Sequence, residues 1–294
     1  MTISSLVLSD PDRGITSQVM PRPGVAFQGL SAAGTVRAVT ESRQGGHGTR
    51  DTTASFDDAA VTLTLRLWQN TRALLDEFAA FLHPAARPVL VVTDTEWAQP
   101  RQLQLRFDSG NSPVELGVGQ TRNVQYAWRA PAGVWEAAAQ VSVNAPAIIE
   151  GDTGGLLWTT TGISWTTAGV LWVPGSAASP PQVISPGNVE SEWQAILYGP
   201  ATAPALANDV TGLTLQFTED TTLAATDFIL LDSATRSALL NGNPGSPVVG
   251  NIDFTAPSDW WRIQPGVNII RYYPDSGSAS TQAQVTFRPA WACS

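Results

Sequence analysis

Val61-Thr62-Leu63-Thr64-Leu65-Arg66-Leu67 alternates apolar and polar residues without a break. Successive side chains of a strand point to opposite faces. Val61, Leu63, Leu65 and Leu67 therefore share one face, and Thr62, Thr64 and Arg66 share the other. The stretch reads as a β-strand with one side on a core and one side toward water or a neighbour. The same rule recurs along the chain. Leu103, Leu105 and Phe107 alternate with Gln102, Gln104 and Arg106, and Val124, Tyr126 and Trp128 follow the pattern. So do Leu213, Leu215 and Phe217, then Ala283, Val285 and Phe287, while Trp193 to Tyr198 and Phe228 to Leu231 read as further strands. The expected fold class is mainly β.

One segment departs from period two. Leu74, Leu75, Phe78, Phe81 and Leu82 fall at i, i+1, i+4, i+7 and i+8, a single helical stripe. Asn70 or Thr71 can cap its start and Pro84 stops it, which predicts a helix over 71–83. It lies between the strand ending near Leu67 and the apolar run Val89 to Val92, so it is expected to pack on a sheet face. In the second half, Leu239-Leu240-Asn241-Gly242 carries the Asn-Gly sign of a tight hairpin turn.

Between the halves the composition breaks into Gly and Pro, from Gly151 to Gly187. A short repeat lies inside the break, with Trp158, Trp165 and Trp172 seven residues apart among Thr and Gly. Thr and Gly argue against helix, and three short strands joined by turns fit better. An aromatic contact patch for sugar stacking is one reading, and a hairpin patch laid over a core or subunit interface is the plainer one. The expected organisation is an N-terminal β domain with the helix over 1–147, the Gly/Pro/Trp-rich segment over 148–188, and a second antiparallel β domain over 189–294.

Composition limits the functions available. The 294 residues suffice for two domains, each with its own core. Charged residues are only 14%, below the roughly 25% usual for soluble domains, which suits surfaces covered by neighbours. Lysine is absent and all 16 basic residues are arginines, which pair bidentately with carboxylates. The net charge is −9: residues 1–150 hold 14 acids and 12 arginines, and the rest hold 11 acids and 4 arginines. Such a chain has no electrostatic grip on phosphates, although an acidic passage through which DNA slides is compatible with it. The first ten residues have neither a basic residue nor a long apolar run, so no secretory leader is expected. No stretch reaches the ~18 apolar residues of a membrane span. The single cysteine, Cys293, has no partner for a disulfide within the chain, and folding in a reducing cytoplasm is expected.

Catalytic signals are few. Of the two histidines, His47 sits in a Gly-rich loop, and His83 at the helix end suits the helix dipole without further role. Asp-Ser/Thr-Gly triplets occur at Asp108, Asp152 and Asp275 and resemble paired aspartic-protease carboxylates, but each is also an ordinary turn. The pairs Asp57-Asp58 and Glu219-Asp220 read as solvated turns rather than glycoside-cleaving carboxylates. No catalytic residue, metal site or cofactor is expected.

The second half ends with Trp260-Trp261-Arg262-Ile263-Gln264-Pro265-Gly266-Val267-Asn268-Ile269-Ile270-Arg271-Tyr272, which reads as strand, Pro-Gly turn and strand. Trp260, Trp261, Pro265, Gly266, Asn268 and Arg271 resemble a signature near the C-terminus of siphophage distal tail proteins. The order around it agrees: Gly199-Pro200, the strand at Leu213, the strand near Asp227 to Asp232, the Asn241-Gly242 turn, and the closing Val285 to Trp291. The resemblance covers about residues 186–294. It implies an N-terminal ring-forming domain and a C-terminal galectin-like β-sandwich. It further implies a homohexameric hub in the virion tail of a long non-contractile-tailed phage. The implied partners are the tail tube protein, a tail-tip or baseplate hub protein, and the tape measure protein, with DNA passing through the lumen unbound and no membrane insertion. Two other functions stay open at this point: a carbohydrate- or receptor-binding tail module using Trp158, Trp165 and Trp172, and a wall-degrading enzyme.

Overall fold

In a computed structural model the described residues are 3–42, 49–68, 71–107, 114–116, 122–148, 180–254, 259–278 and 280–293. They are mainly β and divide into two units. Unit 1 comprises residues 1–139 together with 290–294, and unit 2 comprises residues 140–289.

Unit 1 contains two antiparallel sheets. The first runs, in spatial order, Ile15–Met20, Ile3–Asp10, Val89–Asp94, Arg101–Gln104, Val134–Ala137 and Ala290–Ala292. The second is built on a long hairpin, Val25–Ser42 paired with Thr49–Leu67, followed by Arg122–Ala130 and then Arg106–Phe107, with Val114–Leu116 also on Arg122–Ala130. The alternation that reads as a strand at 61–67 holds: Val61, Leu63, Leu65 and Leu67 are all buried, whereas Thr62, Thr64 and Arg66 are not. They share one core with Leu6, Leu8, Leu90, Val92 and Leu103 of the first sheet.

The helix forms where its stripe predicts, as Thr71–Ala79, and tightens into a 3-10 turn over Ala80–Leu82. It ends because His83 precedes Pro84: the proline ring forces its predecessor out of helical space, and His83 is extended at φ −70°, ψ 138°. Phe78 meets Tyr126 edge-on with ring centroids 5.5 Å apart, and the Trp128 indole N–H donates to the carbonyl of Phe81 at 3.3 Å. These contacts seat the helix on the hairpin sheet. From the polar side, Arg22 holds Glu77 through two 2.9 Å hydrogen bonds.

Unit 2 is a sandwich of two antiparallel sheets around a second core. One sheet orders Val141–Pro146, Gln282–Phe287, Trp193–Tyr198, Phe228–Asp232 and Ser237–Leu240, and the other orders Gln182–Ser185, Gly266–Tyr272, Ala205–Asn208 and Leu213–Gln216. Trp193 and Trp261 stack at 4.4 Å in its centre. Both indole N–H groups are satisfied there, Trp193 donating to the carbonyl of Trp261 at 2.7 Å and Trp261 to that of Leu206 at 3.1 Å. At Asn241-Gly242 both residues are left-handed, with φ 51° and 65°, as a tight turn demands. That turn opens a longer loop back to Pro247, which bridges Leu239.

Two sequence boundaries move. The first unit stops at 139 instead of 147, because Val141–Pro146 pairs with Gln282–Phe287 of unit 2. Gln182–Ser185, inside the stretch read as an inter-domain segment, is a unit 2 strand on Gly266–Tyr272. The last residues return to unit 1, where Ala290–Ala292 pairs with Val134–Ala137.

Two outcomes are expected of this packing. Trp261→Ala should cost about 3–5 kcal/mol, the usual toll for emptying a buried aromatic site, measured by urea unfolding of the full chain. The Arg22 guanidinium hydrogen-bonded to Glu77 holds that carboxyl below its ordinary value of 4.5. A depressed folded pKa contributes stability that is present above the unfolded pKa and lost as pH falls through the folded one. Glu77→Gln should therefore lower stability at neutral pH by at most about 1 kcal/mol, given its partial exposure, and should flatten the loss below pH 4.5 in acid titrations.

Candidate functional site

The signature residues converge on one bend in unit 2. Asn268 is fully buried, and all four of its hydrogen-bonding positions are used. Its Oδ1 accepts from the Gln264 N–H at 2.9 Å and from Asn208 Nδ2 at 2.9 Å. Its Nδ2 donates to the carbonyls of Gln264 at 2.8 Å and Gly266 at 3.2 Å. One side chain thus closes the bend after Ile263 from both sides. Gly266 takes φ 87°, a conformation that side chains disfavour, and so begins the strand Gly266–Tyr272 directly. The segment before it is not the strand read from the sequence. Trp260 and Trp261 lie in an irregular stretch with a single bridge, Ser191 to Ile263, because their rings turn inward onto Trp193 at 6.1 Å and 4.4 Å. Arg271 is half-buried on that strand, opposite Ala207, and binds Asp209 through Nη2 at 2.5 Å and Nε at 3.2 Å.

Pro265, Gly266 and Asn268 shape the bend, the tryptophans fill the core and Arg271 ties the strand to the next loop. The other aromatic candidates, Trp158, Trp165 and Trp172, lie outside the described residues.

The acidic candidates are scattered. Asp108 and Asp152 lie outside the described residues, as does His47. Asp275 is exposed, and Ser276–Gly277 is a short strand on Ala201–Thr202. Asp57-Asp58 is not a turn: it sits within the strand Thr49–Leu67, where the ladder slips between Gly34 and Val36. Asp58 there binds Arg129 at 2.7 Å. Glu219-Asp220 is an exposed turn, as read. His83 is exposed, and its Nδ1 lies 3.1 Å from the Ala85 backbone N–H in the turn after the helix. Among the described residues no three His, Cys, Asp or Glu side chains gather to hold a metal.

Sequence reasoning missed the hairpin. Its strands run 18 and 19 residues, against the five or six usual in globular proteins. Arg122–Ala130 pairs with Ala59 to Leu67. From Val36–Phe56 outward to Ser42–Thr49 the two strands pair only with each other among the described residues. Among the described residues no third strand pairs with either outer edge of that ribbon, and an unpaired strand edge is a template for pairing with another chain. The signal in sequence was weak, since Thr49 to Phe56 is polar and lacks alternation. Replacing Asn268 with Ala should cost about 3 kcal/mol or more, because several buried backbone groups lose their partner together, and urea unfolding reads this directly.

Residues 186–291 match the family described as siphovirus-type tail component, C-terminal domain. No curated protein matches the chain in sequence. Among solved structures, the SPP1 Dit protein, described as a paradigm of hub adsorption apparatus in phages infecting Gram-positive hosts, is similar at TM-score 0.59. The likeness covers 97% of this chain and 98% of that one at 11% identity. The phage P2 baseplate in its activated conformation with calcium is similar at TM-score 0.48 and 12% identity, with 98% of each chain covered. The SPP1 likeness is one of fold, and it extends over both units. The signature bend falls inside the matched residues, so it is the stretch 186–291 that is similar to the siphovirus-type tail component family.

Proposed function

We propose that this chain is a non-enzymatic structural protein that closes with copies of itself into a hexameric ring. The ring is the hub between the tail tube and the tail tip or baseplate of a long, non-contractile-tailed phage. The observation that carries this reading is the long hairpin. An isolated two-stranded ribbon is marginal in water, so the outer half is stable only where another strand completes it. A neighbouring copy supplies that strand at the same position in every subunit, and repetition of one heterologous contact closes a ring.

Other features support the same reading. Few charges leave surfaces that neighbours can cover, and a net charge of −9 keeps an enclosed passage free of sites that hold DNA phosphates. Unit 2, with the galectin-like sandwich expected from the signature, is carried on the outside of the ring.

The test is the mass and shape of the purified chain, by light scattering and negative-stain microscopy. Six-fold rings with an open centre are expected, with subunit interfaces above ~2,000 Å² in total. A variant with residues 36–56 replaced by a two-residue turn should stay folded and become monomeric. Rings of unchanged mass from that variant would remove the hairpin from the joint.

A further inference from the structure

Unit 1 receives its last strand, Ala290–Ala292, only after the chain has passed through unit 2. Three residue pairs join it to the sheet: Val134 with Ala292, Trp135 with Trp291, and Glu136 with Ala290. So short an edge strand is held mainly by its side chains. Arg101 lies 4.1 Å from the Trp291 ring centroid and 4.3 Å from that of Trp97. Trp97 in turn meets Trp135 edge-on at 5.5 Å. A partly desolvated guanidinium between indoles is the stronger kind of cation–π contact.

The residue after this strand reaches the hairpin. Cys293 is buried, and a Cβ built on Gly34 would stand 3.3 Å from the Cys293 Cβ and 3.4 Å from the Gly133 carbonyl. A side chain at 34 would press on both, and they would have to give by a few tenths of an ångström. Gly34 pairs with Ala59, and Ala59 pairs with Ala130, so this is the last rung with three strands. Directly beyond it the ladder slips and the two-stranded ribbon begins. Cys293 therefore sits under the point at which the ribbon leaves the sheet, while the Asp58–Arg129 ion pair marks the same point on the neighbouring strands.

We propose that Ala290–Cys293 is a clip that sets the direction of the hairpin's outer half, and that a docked clip is required for that half to pair with a second copy. This rests on the reading of the hairpin as the assembling element. The reason is leverage. Seven residues beyond the slip span roughly 23 Å, so a tilt of about 12° at the base shifts their end by about 5 Å, one inter-strand spacing. A misdirected ribbon meets its neighbour out of register.

Cys293 is the single cysteine and reports on the clip. Burial pushes its thiol up to about 11, so a docked clip should react slowly with maleimide. The experiment compares the full-length wild type with Trp291→Ala, Arg101→Met and Gly34→Val, using labelling rate, near-ultraviolet circular dichroism and light scattering. Each variant should label about tenfold faster, as expected for losing a desolvated cation–π contact or its packing, and should lose the ring while keeping the dichroism of a folded chain. Arg101→Met keeps an apolar side chain in place and guards against a variant that fails only by unfolding. Folded variants that label faster yet assemble like the wild type would overturn the coupling, and unchanged labelling in all three would overturn the clip itself. A wild type that stays monomeric would overturn the hub reading and the coupling together, and labelling would still decide whether the segment is clipped.

Discussion

Backbone N–H and C=O groups in a strand have to be paired, and this requirement organises unit 1. Inside the unit it is met by neighbours: the hairpin's inner half lies against Arg122–Ala130, and the six-stranded sheet is completed by Ala290–Ala292. Farther out, the hairpin is longer than the sheet that supports it. A chain that depended on its own contacts alone would gain nothing from such a ribbon, since ordering each residue costs about 1–2 kcal/mol of backbone entropy. In the proposed ring a neighbouring copy supplies the compensation.

Unit 2 solves a different problem. Its core is organised by two stacked indoles whose N–H groups would be costly if buried without partners, and both find backbone carbonyls. Asn268 does the same for a bend that lacks strand neighbours. The signature residues are thus used in holding the domain together.

Much of this was legible in particular residues. Val61 to Leu67 announces its buried face because a strand with one side on a core must alternate. Leu74, Phe78 and Phe81 announce the helix and Pro84 its end, by local sterics alone. Other features were hidden for physical reasons. Thr49 to Phe56 is strand without alternation, so no period of two marks it. Asp57-Asp58 looks like a turn and is a slip within a strand, since a bulge and a turn use similar residues. Trp260-Trp261 looks like the start of a strand, but the rings turn onto Trp193 and the Trp261 indole donates to the distant carbonyl of Leu206, which no local pattern reveals.

By itself, then, the sequence determined the mainly β class, the helix, the Asn241-Gly242 turn and, through the signature bend, the resemblance of residues 186–291 to siphovirus-type tail components. All of these depend on neighbours a few residues apart or on composition. Only the tertiary structure decided that the hairpin outruns its sheet, that unit 1 is closed by residues following unit 2, and that Gly34 makes room for Cys293. Each of those rests on pairing or packing between segments far apart in the chain, and the chemistry of such contacts leaves no period and no spacing for a sequence to display.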